Sequence, residues 1–283
     1  MYHAICTDLD GTLLNSDHQL DAYTIDTVRR LAADGIPIII ATGRHHADVA
    51  GIRDVLGIRP YLITSNGARV HAPDDTPLYA SDIAPAVVRE LVRPELVRPE
   101  LVRPELVGEH GRVIVNLFTD TGWLIDREAP HLLEFHQDSG FVYRVADLPA
   151  YAAEDVAKVL YIGEPADLAV LAERLASRFG DALYVTYSLP DCLEVMTAGV
   201  SKGRALRVVL ERLGLDRAHC VAFGDNMNDI DLLETAGHPF MMDNANPDLV
   251  LRLPDVPRIG SNADSGVARH LRELFALDID PVR

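Results

Sequence analysis

"DLDGTLL", residues 8–14, follows the apolar AIC at 4–6 and places two carboxylates, Asp8 and Asp10, where a strand is expected to end. Gly11 and Thr12 then let the chain turn sharply beneath them. Downstream, Ile25, Val28 and Leu31 recur at helical spacing over roughly Asp21 to Ala33, and Gly35 ends that helix. "IPIIIATGR" (36–44) is an unbroken apolar run, as in a parallel strand buried on both faces. A second helix is expected over His46 to Leu56, then a short strand, YLIT (61–64), and a tight turn at Asn66-Gly67. Strand, helix, strand, helix, strand at this spacing predicts right-handed βαβ units.

The same rhythm returns near the far end. "SKGRALRVVLERLG" (201–214) carries Leu206, Val209, Leu210 and Leu213 on one helical face. The strand CVAF (220–223) runs into GDNMND (224–229), followed by a helix from about Ile230 to Ala236, by PFMM (239–242) and by the helix GVARHLRELFAL (266–277). From about Asp82 to Leu189 the character changes. RVIVNLF and GWLID read as an antiparallel pair; KVLYIG, an Ala/Leu-rich helix and ALYVTYS follow. The expected fold is α/β: a core of βαβ units with a parallel sheet, residues 1–81 and 190–283, and an inserted α+β domain, 82–189. One continuous large domain is the alternative.

"ELVRPELVRPELVRPELVGE", Glu90 to Glu109, repeats a five-residue unit that matches neither helix nor strand period. Pro94, Pro99 and Pro104 each remove a backbone donor and bias the preceding Arg away from the α region. The segment reads as a tandem duplication near a helix end that forms an extended or irregular loop, a tolerated insertion. A proline-rich docking motif is the alternative.

The 283 residues hold 26 basic and 43 acidic side chains, a net charge of −17. That field repels polyanions, so neither nucleic acid nor an anionic membrane surface is an expected partner. Cys6, Cys192 and Cys220 lack CxxC spacing, so free thiols in a reducing compartment are expected, and no zinc site. No basic segment followed by an apolar run opens the chain, and no apolar stretch is long enough to span a bilayer. A cytoplasmic protein, monomeric or weakly homo-oligomeric, is the expectation.

Four groups fall at expected strand ends or helix starts: Asp8 with Asp10, Thr42-Gly43, Lys202, and Asp225 with Asn228 and Asp229. Open α/β sheets bind ligands along that edge. The set matches a phosphoryl-transfer site. Asp8 can attack phosphorus and form an aspartyl phosphate. Asp10 can protonate the leaving oxygen and then deprotonate water. Magnesium prefers a few carboxylates with substrate and water oxygens, so Asp8, Asp225 and the Asp10 carbonyl are the candidate ligands. Thr42, the Gly43 backbone and Lys202 would hold the phosphoryl oxygens. Asn228 would bind phosphate or orient a ligand, with Asp229 behind it. Asp229/Asp231 and Asp278/Asp280 share the two-residue spacing without a comparable setting, and no chemistry is assigned to those pairs.

The ordered blocks DLDGTLL, ATGR, SKG and GDNMND resemble the haloacid dehalogenase superfamily, in particular its Cof-type (subfamily IIB) phosphatases. The resemblance spans almost the whole chain apart from the repeat. It implies a Rossmann-like core whose insertion is a substrate-selecting cap. Asp8 would be nucleophile and magnesium ligand, Asp10 acid/base and carbonyl ligand, Asp225 the third ligand. Phosphate would rest on the Leu9 backbone, Thr42, Gly43, Lys202 and Asn228. ATGRHHADV, ITSNGARVH, CLEVMTAGVSKG and NADSGVARHLRELF look especially like the enterobacterial pyridoxal phosphate phosphatases, which also accept sugar phosphates. A magnesium-dependent phosphatase of small phosphomonoesters is therefore expected. A sugar phosphomutase of the same superfamily and a non-catalytic phosphometabolite-binding protein are the alternatives.

Other residues carry two readings. His45 and His46 can reach a substrate or open a helix, and Asn66 can face a cleft or form a turn. Trp123 and Tyr143 can stack on a flat ring or pack the insertion. Asn246 can hydrogen-bond near Asp225 or serve a plain turn.

Overall fold

The computed structural model describes residues 2–97, 113–136 and 139–277. The chain forms two compact units: one runs to Tyr79 and resumes at Ser201, the other is Ala80–Val200.

In the first unit the strands Ala4–Thr7 and Ile38–Ala41 are buried at every residue, because helices cover both faces of the sheet. Ile5, Ile38, Ile40, Leu62 and Phe223 pack on one side with Val28 and Leu31 of the helix Ala22–Ala33 and Leu271 of Gly266–Leu274. Ala4, Cys6, Ile39, Ala41 and Ile63 face the other side, toward Leu206, Val209 and Leu210 of Lys202–Leu213. Each buried Ile or Leu contributes about 1.5–3 kcal/mol relative to exposure, which is what holds these helices down.

The sheet order is Arg258–Ile259, His238–Met242, Cys220–Gly224, Ala4–Thr7, Ile38–Ala41, Tyr61–Thr64, Arg69–His71, Pro77–Ala80. The first six run parallel to their neighbours and Arg69–His71 is antiparallel to Tyr61–Thr64. Successive strands step outward from Ala4–Thr7 in one direction early in the chain and in the other direction late. Asp8 thus leaves the sheet at its topological switch point, where crossovers diverge and open a crevice.

The helix starts are set locally. Asp21 accepts from Thr24 N at 2.8 Å, and Ser201 Oγ accepts from Arg204 N at 3.0 Å, which makes Lys202 the first residue of its helix.

The second unit holds a six-stranded sheet: Leu183–Leu189, Cys192–Thr197, Val156–Ile162, Ile114–Thr119, Gly122–Ile125, Tyr143–Val145. Val115, Leu117, Val159, Tyr161, Leu193 and Val195 turn one face toward Leu168, Leu171 and Leu175 of the helix Pro165–Phe179. The strand Cys192–Thr197, expected with the core, is instead hydrogen-bonded between Leu183–Leu189 and Val156–Ile162. Its alternation suits either sheet, and the short connection after Leu189 favours the hairpin.

On the opposite face Trp123 is buried between the Phe118 and Phe141 rings, with centroids at 5.8 and 5.9 Å, and donates to Asn116 Oδ1 at 2.8 Å. Tyr143 donates to Glu128 Oε2 at 2.8 Å and accepts from Ala129 N at 3.0 Å. Packing accounts for both aromatics.

Within the pentapeptide repeat, Glu90 and Leu91 finish the helix Pro85–Leu91, and Pro94–Val97 forms one helical turn where an extended or irregular loop was expected. Proline is tolerated at a first helical position, where its missing N–H has no intrahelical acceptor. Val97 is buried beside Leu91 and Val92, which rewards the turn. Residues 98–109 of the repeat lie outside the described residues. The three cysteines are free thiols, with Cys6 and Cys220 buried. Among the described residues no helix is long and apolar enough to cross a membrane.

Candidate active site

The ends of four parallel strands supply the site. Asp8 follows Thr7, Thr42 follows Ala41, Ser65 follows Thr64, and Asp225 follows Gly224. Leu9 buries its side chain in the core and so anchors the turn between the two carboxylates. At Gly11 the backbone takes φ +77°, and a Cβ there would stand 2.3 Å from Asp225 Oδ2. Gly11→Ala is therefore expected to cost both strain and a clash. A melting temperature several degrees lower, with activity reduced alongside it, is the expected result; an unchanged melt would refute the clash.

Lys202 is completely buried, and its Nζ donates to Asp8 Oδ1 and to Asp229 Oδ1, both at 2.7 Å. Asp229 Oδ2 accepts from Asp225 N and Asn226 N, each at 3.0 Å. Asp229 is thus committed to holding the lysine and the GDNMND turn. Asp225 Oδ1 accepts from Thr12 Oγ1 at 2.7 Å, a partner the sequence reading used only as a turn residue. Asn246 donates its backbone N–H to Asp225 O at 2.8 Å and its side-chain amide to Asn226 Oδ1 at 3.1 Å.

One oxygen each from Asp8, Asp225 and Asp229 lies within 4.8 Å of the others. Three carboxylates therefore lie together, and the Lys202 ammonium bonds two of them, Asp8 and Asp229. Burial, reinforced by Asp229 and Asp225, holds the Asp8 carboxyl well above the usual range even though Lys202 opposes it. Burial, then Asp229, pushes Asp225 up to about 7. Burial works against the Lys202 charge, but Asp229 and Asp8 more than offset it and raise that pKa. The surplus of hard oxygen donors fits a small divalent cation. Asp8 and Asp225 have oxygens to give; Asp229 has both committed.

Asp10 is engaged elsewhere. Its oxygens accept from Arg44 Nε at 2.8 Å and Arg44 Nη2 at 2.6 Å, and His18 Nδ1 lies at 3.3 Å. Burial alone would raise its pKa, but the His18 and Arg44 hydrogen bonds win and keep it ionised. Arg44 closes the ATGR block, and the sequence reading gave it no role. The bidentate geometry is the signal that marks it.

Thr42 is buried, and its Oγ1 accepts from Arg44 N at 3.1 Å, leaving the hydroxyl proton to donate. Asn228 Nδ2 donates to Asn66 Oδ1 at 3.0 Å. A Cβ on Gly43 would sit 3.0 Å from the same Asn66 oxygen. His45 caps the helix His46–Leu56, accepting from Ala47 N at 3.1 Å, and His46 Nε2 lies 3.0 Å from Asp75. Helix opening accounts for the histidine pair.

A family profile of haloacid dehalogenase-like hydrolases matches residues 5–271, nearly the whole chain. The chain belongs to that family. It is an enzyme, a phosphoric monoester hydrolase. A chain from Haemophilus influenzae is 39% identical over 279 residues, covering 98% of each sequence. A Cronobacter sakazakii relative, named HMP-PP phosphatase, is 36% identical over 268 residues, covering 93% of this chain and 92% of its own. Among solved structures, TM0651 from Thermotoga maritima superimposes with a TM-score of 0.77 at 28% identity, over 96% of this chain and 97% of that one.

Proposed function

We propose that this hydrolase is a magnesium-dependent phosphatase of small phosphomonoesters, pyridoxal 5′-phosphate and sugar phosphates among them, and that Asp8 carries the phosphoryl group as an aspartyl phosphate. The observation that carries the reading is the buried Lys202 bridging Asp8 and Asp229 beside Asp225 at the switch point of the sheet. The relatives named HMP-PP phosphatase add that compound to the candidates.

Asp8 and Asp225, with the Asp10 main-chain carbonyl, would hold the ion. When bound, it neutralises charge that otherwise keeps a carboxylate from a phosphate dianion. Lys202 fixes the Asp8 carboxylate for attack on phosphorus and supplies positive charge to the phosphoryl oxygens. The new Asp8 O–P bond forms as the ester P–O bond breaks, and the departing oxygen takes a proton from Asp10. Asp10 then takes a proton from the water that attacks phosphorus, and Asp8 is released as a carboxylate. Asp10 as held by Arg44 and His18 is in its basic form, the form the second half-reaction uses. To serve as the acid it must leave Arg44 and take up a proton. Thr42, Gly43, Asn228 and the Leu9 backbone surround the phosphate in this reading. The inserted unit selects the substrate, as the family resemblance implies.

The test is phosphate release from pyridoxal 5′-phosphate, sugar phosphates, HMP-PP and nucleotides, with and without magnesium. Magnesium-dependent release that favours the first three is expected. Isomerised sugar phosphate without free phosphate would move the reading to a phosphomutase, and no turnover at all to a binding protein.

A further inference from the structure

The segment Ser65-Asn66-Gly67 follows a central parallel strand and takes a left-handed backbone at all three positions, with φ of +48°, +56° and +99°. Only the third is glycine. Asn66 is nonetheless 1% exposed. Such a conformation for buried non-glycine residues persists only where the surroundings enforce it. Here they do so on every side. Ser65 N donates to Arg44 O at 2.9 Å and Asn66 N to Thr42 O at 3.1 Å, so the turn is laced to the ATGR loop. Gly67 approaches the Lys202 helix so closely that a Cβ would stand 2.2 Å from Ser201 O. The Asn66 side-chain carbonyl accepts from Asn228 Nδ2, which stands 162 residues away in sequence.

We propose that Asn66 is a positioning residue of the phosphate site. Its carbonyl oxygen fixes the rotamer of the Asn228 amide, and its backbone holds the Thr42–Arg44 loop in register with the start of the Lys202 helix. The chemistry requires asparagine at this point. It tolerates the left-handed region better than other side chains bearing a Cβ, and its amide oxygen is an uncharged acceptor. A carboxylate there would bring a further negative charge beside a bound phosphate dianion. This role rests on the reading of Thr42, Gly43 and Asn228 as phosphate ligands.

The experiment is a double-mutant cycle on Asn66→Gly and Asn228→Ala, with KM, kcat and inhibition by inorganic phosphate measured on the magnesium-loaded enzyme. Glycine adopts φ +56° freely, so the loop is kept while the hydrogen bond is lost. Asn66→Gly is expected to lower kcat/KM roughly tenfold to a hundredfold, the scale on which misplaced groups act. It should weaken phosphate inhibition in parallel and leave the melting temperature close to that of the parent. In the Asn228→Ala background the same substitution should cost almost nothing further. Asn66→Asp keeps the left-handed backbone and an acceptor oxygen, so it should remain coupled to Asn228 whatever its absolute activity. Equal losses from Asn66→Gly in both backgrounds, or no loss in either, would overturn the role while leaving the phosphatase reading intact. A parent enzyme that releases no phosphate would overturn both.

Discussion

Replacing Asp8 by asparagine is expected to abolish turnover while leaving the fold intact. In the proposed reaction no other group can form the covalent bond to phosphorus, so the loss should be on the order of 10⁴-fold or more in kcat. Stability should move the other way or not at all. Asp8 shares the ammonium of Lys202 with Asp229 and lies close to Asp225, and its pKa is raised by burial and by the neighbouring acids. An amide removes that repulsion and still accepts from Lys202 Nζ. Lys202 keeps Asp229 as its ionic partner at 2.7 Å. Phosphate release measured beside a thermal melt checks both halves. Substantial turnover by a well-folded Asp8→Asn enzyme would refute the nucleophile assignment, whereas a collapsed fold would show that the carboxylate is structural.

Replacing Lys202 by methionine should have the largest effect on stability. The side chain is fully buried and neutralises Asp8 and Asp229 together. Removing one member of such a cluster leaves buried charge uncompensated, at a cost of about 3–5 kcal/mol. The loss should depend on pH. In the variant, Asp8 keeps the causes that raise its pKa, burial and the neighbouring carboxylates, and loses the lysine that opposed them. An acid whose folded-state pKa lies above its unfolded value is favoured in its protonated form. It therefore contributes stability below the unfolded carboxylate pKa, near 4, and loses it as pH rises through the raised folded value. The deficit relative to the parent should be smallest in mild acid and largest above neutrality. Denaturant melts of both proteins across that range would show the trend. A deficit that does not change with pH would mean that the carboxylates have rearranged to find water. Activity should be lost at every pH, because the proposed reaction relies on that fixed positive charge for the phosphoryl oxygens.

Arg44 shows how far a motif can be read from sequence. ATGR was legible as a strand end with Thr42 and Gly43 in place, because an apolar run followed by Thr-Gly has a local meaning. That the next residue grips Asp10 with two nitrogens was not legible, since the pair lies 34 residues apart and forms only once Ile38–Ala41 lies beside Ala4–Thr7. Thr12 is the same case at greater separation. Its hydroxyl meets Asp225, 213 residues on, because Cys220–Gly224 is the other neighbour of the first strand. In the inserted unit, Trp123 had two sequence readings, and only its enclosure by Phe118 and Phe141 decides for packing.

By itself the sequence determined the alternation of strands and helices in the first unit, the helix start at Lys202, the carboxylate-bearing turn at residues 8–12 and the turn at Asn66-Gly67. Each rests on periodicity or on a side chain that bonds its own neighbourhood, so a short window holds all the information. The tertiary structure alone decided which strand ends converge, that Cys192–Thr197 completes the second sheet, and how Lys202, Thr12, Arg44 and Asn66 are partnered. Those contacts depend on strand order and register. Many chains with the same local pattern can differ in both, and only the simultaneous burial of both faces of each sheet selects one arrangement.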